Sequence, residues 1–291
     1  MNIILSNQAG TVKKTSVPPT VRALPEDEIA TFRNQGVVLV KNLVWRNAAE
    51  ELLAAADRWA EEPSEYAENM ATDGTFLEGR EVWPHQESSK SFIFESQLAE
   101  QTARAMRSKE ARFYFDHLFM LAPNTAKDSY YWHQDLPYWA CGGQQICSFW
   151  LALTDNTVDS GALEFVLDTD KGHLYLPTGF GDGETANYSV ESEDEVVSVS
   201  DYHLDRDKYE IVSFEVEAGD ALLFNARIMH SSRGNHSKTV RRVGYSTRWI
   251  GEDMVYCKRP GYQDPVTIPK AHLAPGNSLA IDQFPKVWPA D

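Results

Sequence analysis

Apolar positions recur along the chain with two different periods. In the N-terminal part the period is helical: Leu52, Leu53, Ala56 and Trp59 fall on one side of a helix predicted over 47–62 and opened by Asn47. Helices are also predicted over 25–34 and near 97–107, and Gly36-Val37-Val38-Leu39-Val40 reads as a buried strand between the first two. From Arg112 onward the period shortens to two. Strands are predicted over 112–121, 131–138, 146–153, 162–167, 196–199, 209–216, 221–228 and 241–249. Turn formers separate most of them, among them Gly142-Gly143, Asp159-Ser160-Gly161 and Glu217-Ala218-Gly219-Asp220. Many short strands preceded by helices predict a mainly β protein, a jelly-roll type double sheet with flanking α-helices packed outside.

Two stretches depart from this rhythm. Residues 1–21, with Pro18-Pro19 and little periodicity, read as an extended or flexible arm, leaving 22–291 as a single domain. Residues 179–208 form an insertion with nine acidic residues against Arg206 and Lys208, and read equally well as a lid over a site or as a solvated excursion.

Composition narrows the function classes. With 291 residues, 42 % of them hydrophobic, the chain can bury a substantial core. A net charge of −16 disfavours nonspecific nucleic-acid binding and a highly anionic substrate. The longest apolar runs, such as 146–153 and 221–224, are too short to cross a bilayer, so a soluble, cytoplasmic protein without a membrane partner is expected. Cys141, Cys147 and Cys257 lack zinc-type spacing and are odd in number, which predicts buried thiols rather than disulfides. A small-molecule substrate is the expected partner, and a homodimer is left open.

The chemistry concentrates in three short pieces. His133-Gln134-Asp135 lies in the aromatic run from Tyr130 to Trp139, and residues two apart on a strand share a face, so His133 and Asp135 can hold one metal. His230, downstream of the strand that starts at Gly219-Asp220, can add a second imidazole. Two imidazoles and a carboxylate hold Fe(II) while leaving three adjacent positions open to cosubstrate and oxygen. An arginine of the pair Arg241-Arg242 can then hold a dicarboxylic acid through two parallel charge-assisted bonds. Among the other histidines, His117 reads as a hydrogen-bonded core residue, His85, His203 and His272 as loop residues, and His173 and His236 as lying off the matching positions.

These pieces resemble the phytanoyl-CoA dioxygenase (PhyH) family of Fe(II)/2-oxoglutarate-dependent oxygenases over roughly residues 28–265. The likeness is carried by Trp132-His133-Gln134-Asp135-Leu136-Pro137-Tyr138, Phe149-Trp150-Leu151-Ala152-Leu153-Thr154-Asp155, Ser160-Gly161-Ala162-Leu163-Glu164-Phe165-Val166, and His230-Ser231-Ser232 with Asn235 and Arg241. It implies a double-stranded β-helix, with His133, Asp135 and His230 as metal ligands and catalytic centre. It also implies that Arg241, at the family's spacing, pairs with the distal carboxylate of 2-oxoglutarate, with Ser232 as a second contact and Trp150 as a wall. Arg242 takes that role if the hairpin register slips by one. The cofactors implied are Fe(II), 2-oxoglutarate and O2, with release of succinate and CO2 as substrate is hydroxylated, desaturated or rearranged.

The chain departs from the family pattern at Leu167-Asp168-Thr169-Asp170, where many members have Pro-Gly-Ser-His, and at Leu121 or Ala122, where several have a cosubstrate-binding lysine. Asp135 argues against the halogenase branch, which has a small residue there. Tyr130, Tyr131, Tyr138, Trp139 and Phe149 cluster about the motif and suggest a small hydrophobic metabolite, in keeping with secondary-metabolite biosynthesis. The competing reading is a metal-binding, cupin-like isomerase or a non-catalytic binding protein. Arg241 discriminates these readings, because a metal-only site has no use for a dicarboxylate clamp.

Overall fold

A computed structural model describes residues 18–70, 75–125, 130–175, 206–259 and 263–290. The expectations for residues 1–17, for a strand at 196–199 and for most of the acidic insertion fall outside the described residues.

The chain runs α1 (Glu26–Gln35), β1 (Val37–Val40), α2 (Arg46–Glu61), β2 (Ala67–Asn69), β3 (Phe76–Arg80), α3 (Glu87–Phe94) and α4 (Leu98–Met106). It then enters β4 (Ala111–Leu121), β5 (Tyr130–His133), β6 (Cys141–Gly142), β7 (Ile146–Ala152), β8 (Leu163–Val166), β9 (Ile211–Ser213), β10 (Ala221–Asn225), β11 (Met229–Ser232), β12 (Arg242–Ile250), β13 (Val255–Tyr256) and β14 (Lys286–Trp288). The main sheet has the order β1-β10-β7-β12-β4-β3-β2, with β14 added on β4; the second sheet has the order β5-β11-β8-β9. This is the expected double-stranded β-helix with helices on one side.

Period-two geometry divides the main sheet into two unlike faces. Outward from the barrel, Phe113, Leu118, Phe149, Leu151, Val243, Tyr245 and Trp249 pack with Ile29, Phe32, Leu52, Trp59, Phe92 and Leu98 of the helices in one continuous core. The prediction for α2 holds: Leu52, Ala56 and Trp59 are buried and Leu53 partly so. A glycine is required where α2 meets β3, since a Cβ on Gly79 would stand 2.1 Å from the Trp59 ring. On the inner face a second core, with Phe119, Leu121, Trp150, Ala152, Leu222 and Phe224, meets Leu163 and Phe165 of the smaller sheet.

That inner face also carries charge. Arg80 lies 3.3 Å from Glu78, 2.6 Å from Glu68 and 3.4 Å from Asp264, and its guanidinium is only 4 % exposed. Burial works against the charged form of Arg80, but the three surrounding carboxylates outweigh it and its pKa is raised. Strand β3 has no strand signature in the sequence because Glu78 and Arg80, which point inward, make Phe76–Arg80 look polar. Among the described residues no helix is long and apolar enough to cross a membrane.

Candidate metal and cosubstrate site

His133, Asp135 and His230 come together although each reaches the site differently. His133 is the last residue of β5 and is paired in register with His230 on β11. Asp135 does not share a strand face with His133, contrary to the sequence expectation. The strand ends at His133, and Asp135 (φ −69°, ψ −42°) opens the 3-10 turn Leu136–Tyr138. Pro137 explains the stop: it has no N–H to give to a ladder, and the turn instead anchors through Leu136 N–H, which donates to the Ala226 carbonyl at 2.9 Å. The carboxylate still arrives beside the imidazoles, with one donor atom from each residue lying within 4.8 Å of the others and all three residues buried.

Gln134, between the two ligands, faces away from them. Its Nε2 donates to the carbonyls of Arg227 (2.6 Å) and His173 (3.1 Å), and its Oε1 accepts from Tyr175 N–H (2.9 Å). The middle residue therefore pins the loop before β11 to the ligand turn.

The ligand rings are oriented by their surroundings. His230 Nδ1 donates to the Ile228 carbonyl at 3.0 Å, which leaves Nε2 with its lone pair toward Asp135. Phe165 stacks at 5.8 Å and Phe224 packs at 5.1 Å on the same imidazole. Tyr138 meets the His133 ring edge to face at 5.9 Å. Burial, followed by the neighbouring His133, pushes the His230 pKa down to about 4, which favours a neutral imidazole able to offer a lone pair to a metal. Burial acts to raise the Asp135 carboxyl, yet Arg248 and the two histidines hold it well below the usual carboxylate range.

The donor set fits a divalent iron. Donors about 2.1 Å from one metal and at right angles stand roughly 3 Å apart. The Nε2 atoms of His133 and His230 lie 3.6 Å and 3.8 Å from Asp135 Oδ1, so small side-chain rotations bring all three into coordination range. No thiolate takes part: Cys141 and Cys147 are buried elsewhere, and burial pushes the Cys141 thiol up to about 12.

The arginine assignment needs a correction. Arg241 lies outside the barrel, where its Nη1 and Nη2 donate to the two carboxylate oxygens of Asp57 on α2 at 2.6 Å and 2.8 Å; the side chains are 44 % and 42 % exposed. Arg242, the first residue of β12, points inward and is 1 % exposed. The cause is strand parity: Val243, Tyr245 and Trp249 face the helices, which places Arg242, Gly244, Ser246 and Arg248 on the inner face. Arg242 Nη1 donates to Ser232 Oγ, and its guanidinium sits 5.2 Å over the Trp150 ring. Trp150 lies so close to β12 that a Cβ on Gly244 would stand 2.1 Å from it. Asn235 fixes the intervening loop by donating to the carbonyls of Val240 (2.8 Å) and Ala122 (3.1 Å). The structure thus brings Ser232 and Trp150 to the site, with Arg242 in place of Arg241.

A further row of donors crosses the inner face beside these groups. Ser246 pairs with Trp150 on one side and His117 on the other, and Trp150 Nε1, Ser246 Oγ and His117 Nε2 are buried and make no hydrogen bond among the described residues. His117 is buried as expected, against Phe119 and with its Nε2 3.5 Å from Glu78 Oε2. Of the proposed aromatic lining, Tyr138 and Trp139 lie by the site, Phe149 faces the helices, and the side chains of Tyr130 and Tyr131 are outside the described part.

Residues 32–243 match the family model described as phytanoyl-CoA dioxygenase (PhyH). The chain belongs to the phytanoyl-CoA dioxygenase family. Its fold and dioxygenase class agree with the sequence expectation. An ectoine dioxygenase of Nocardia farcinica is 25 % identical over 229 residues, which is 72 % of each chain. Among solved structures, the non-heme α-ketoglutarate-dependent carbocyclase SnoK from nogalamycin biosynthesis superimposes with a TM-score of 0.70 at 19 % identity, covering 93 % of this chain and 99 % of its own. The epimerase SnoN, solved with Fe3+, α-ketoglutarate and nogalamycin RO, gives 0.64 at 18 % identity, covering 90 % and 98 %. At such identities the structural likeness carries the fold, and the site rests on this chain's own residues. Within this PhyH-family chain, sequence reasoning missed Arg248, 5 % exposed, with Nη2 3.7 Å from Asp135 Oδ2. The signal was available: Arg242, Ser246 and Arg248 share parity.

Proposed function

We propose that the chain is a non-haem Fe(II)/2-oxoglutarate-dependent oxygenase in which His133, Asp135 and His230 bind iron and Arg242, with Ser232 and Trp150, binds the distal carboxylate of 2-oxoglutarate. The observation that carries this reading is the inward, buried Arg242 of the main sheet, which donates to Ser232 on β11, the strand of the second sheet that also carries His230. A metal-only jelly roll, isomerase or silent binding protein has no need of a guanidinium buried beside Ser232 and Trp150. Trp150 Nε1, with no hydrogen bond among the described residues, adds a donor suited to a carboxylate. SnoN, with its Fe3+ and α-ketoglutarate, supports the same cofactor pair.

When bound, the iron supplies O2 activation coupled to decarboxylation of 2-oxoglutarate to succinate and CO2. The chain's part is to hold both groups in register and keep water out. Arg242 and Ser232 fix one end of the cosubstrate, the histidine pair and Asp135 fix the metal, and Phe165 and Phe224 wall it in. The substrate is a small metabolite, with Tyr138 and Trp139 as its apolar contacts, and the biosynthetic roles of SnoK and SnoN favour secondary metabolism. The test is succinate formation from 2-oxoglutarate by the Fe(II)-loaded protein. His133→Ala and Asp135→Ala are expected to abolish it, and stoichiometric succinate from either variant would sink the assignment.

A further inference from the structure

We propose that Arg248 is a positioning residue for Asp135, holding the carboxylate so that only Oδ1 faces the metal; this rests on the iron reading above. The two oxygens of Asp135 have different neighbours. Oδ1 is the atom near both imidazoles, at 3.6 Å from His133 Nε2 and 3.8 Å from His230 Nε2. Oδ2 is buried, accepts no hydrogen bond among the described residues, and lies 3.7 Å from Arg248 Nη2. The carboxylate plane therefore runs from the histidine pair to the guanidinium.

Arg248 is itself held in place. Its guanidinium carbon lies 4.8 Å from the centre of the Phe115 ring, 5.4 Å from Trp139 and 6.0 Å from Phe119, and the residue is 5 % exposed. Its Cα pairs across the sheet with Phe115 on β4 and Ser148 on β7. Trp139 directly follows the 3-10 turn that Asp135 opens, so one short segment supplies both the ligand and a wall of the cage around its partner.

Asp135 needs such a partner because it sits past the end of β5, where no strand pairing fixes its side chain. A carboxylate free to turn can offer both oxygens to a metal and fill a position that the cosubstrate or oxygen requires. A caged cation beside Oδ2 favours the orientation that keeps this oxygen off the metal. The planar, permanently charged guanidinium suits that task better than an ammonium. Loss of a group that orients a metal ligand typically weakens metal binding by about 10- to 100-fold.

The test uses the apo full-length protein, titrated anaerobically with Fe(II), and with Co(II) as a spectroscopic stand-in. Arg248→Met, which keeps bulk and removes charge, is expected to weaken Fe(II) binding by about 10- to 100-fold and to change the Co(II) visible spectrum. Arg248→Lys is expected to lose less, while still binding measurably more weakly than the wild type. A merely structural cage residue would lower the apo melting temperature and leave affinity and spectrum unchanged. Wild-type affinity with a wild-type Co(II) spectrum in either folded variant overturns the proposal, and if Arg248→Met does not fold, Arg248→Lys decides it alone. A wild-type protein that binds no Fe(II), or a His133→Ala variant that binds it equally well, overturns the iron reading instead, so the two failures are distinguishable.

Discussion

The two faces of the main sheet are made from alternate residues of the same strands, and they do different work. Along β12, Val243, Tyr245 and Trp249 enter the helix-side core, while Arg242, Ser246 and Arg248 face the barrel interior. The same division runs through β7, where Phe149 and Leu151 face the helices and Trp150 turns toward Arg242. Outside, large apolar side chains pack on one another, and polar atoms among them find local partners, as Tyr245 Oη donates to Asp116 Oδ2 and Trp249 Nε1 to Thr247 Oγ1; this is the arrangement that stabilises a fold. Inside, charged and hydrogen-bonding groups are buried at a cost that only a ligand or a carefully paired network offsets. The contrast teaches that stability and chemistry are separable here by parity, one residue apart.

Substitutions on either face probe that separation. Phe149→Ala, on the helix side and fully buried, is expected to cost about 3–5 kcal/mol of stability while leaving the Fe(II) affinity of the folded protein unchanged. Chemical denaturation paired with metal titration reads both quantities, and a large fall in affinity would show that the two faces are coupled.

A smaller effect is expected from His117 on the inner face. Burial pushes its pKa down from 6.5 to about 4, so on acidification the unfolded chain takes up this proton first. Its contribution to stability is complete above about pH 6.5 and is lost as pH falls toward about 4. His117→Gln should therefore remove about 3 kcal/mol of the apo protein's stability loss between pH 7 and pH 4. Denaturation curves across that range check it; an unchanged pH dependence would mean that His117 titrates like an exposed imidazole.

Arg241→Ala should have the smallest effect, since its pairing with Asp57 is at the surface. Stability should fall by no more than about 1 kcal/mol in thermal denaturation, with 2-oxoglutarate binding unaltered.

How far the sequence could be read follows from the same contrast. Strands β4, β7 and β10 and helix α2 were legible because their buried residues are apolar and periodic. Strand β3 was not, because Glu78 and Arg80 are buried charges, and β11 was not, because Met229–Ser232 is short and largely polar. The three candidate metal ligands are legible as residues, but the position of Asp135 in a turn is not, although Pro137 signals the end of the strand. Spacing after His230 favours Arg241 over Arg242. The alternation Val243, Tyr245, Trp249 against Gly244, Ser246, Arg248 carries the parity that places Arg242 inside.

In the proposed site the histidine pair and Asp135 hold iron, and Arg242 grips 2-oxoglutarate beside it. The most direct test is anaerobic titration of 2-oxoglutarate into Fe(II)-loaded wild type, Arg241→Ala and Arg242→Ala, followed by the visible charge-transfer band of the chelated cosubstrate. The wild type and Arg241→Ala should develop the band at the same 2-oxoglutarate concentration, and Arg242→Ala should need about 100-fold more, the loss expected when a buried charge partner is removed. Absence of the band in the wild type, or an Arg242→Ala variant that titrates like it, would contradict the account.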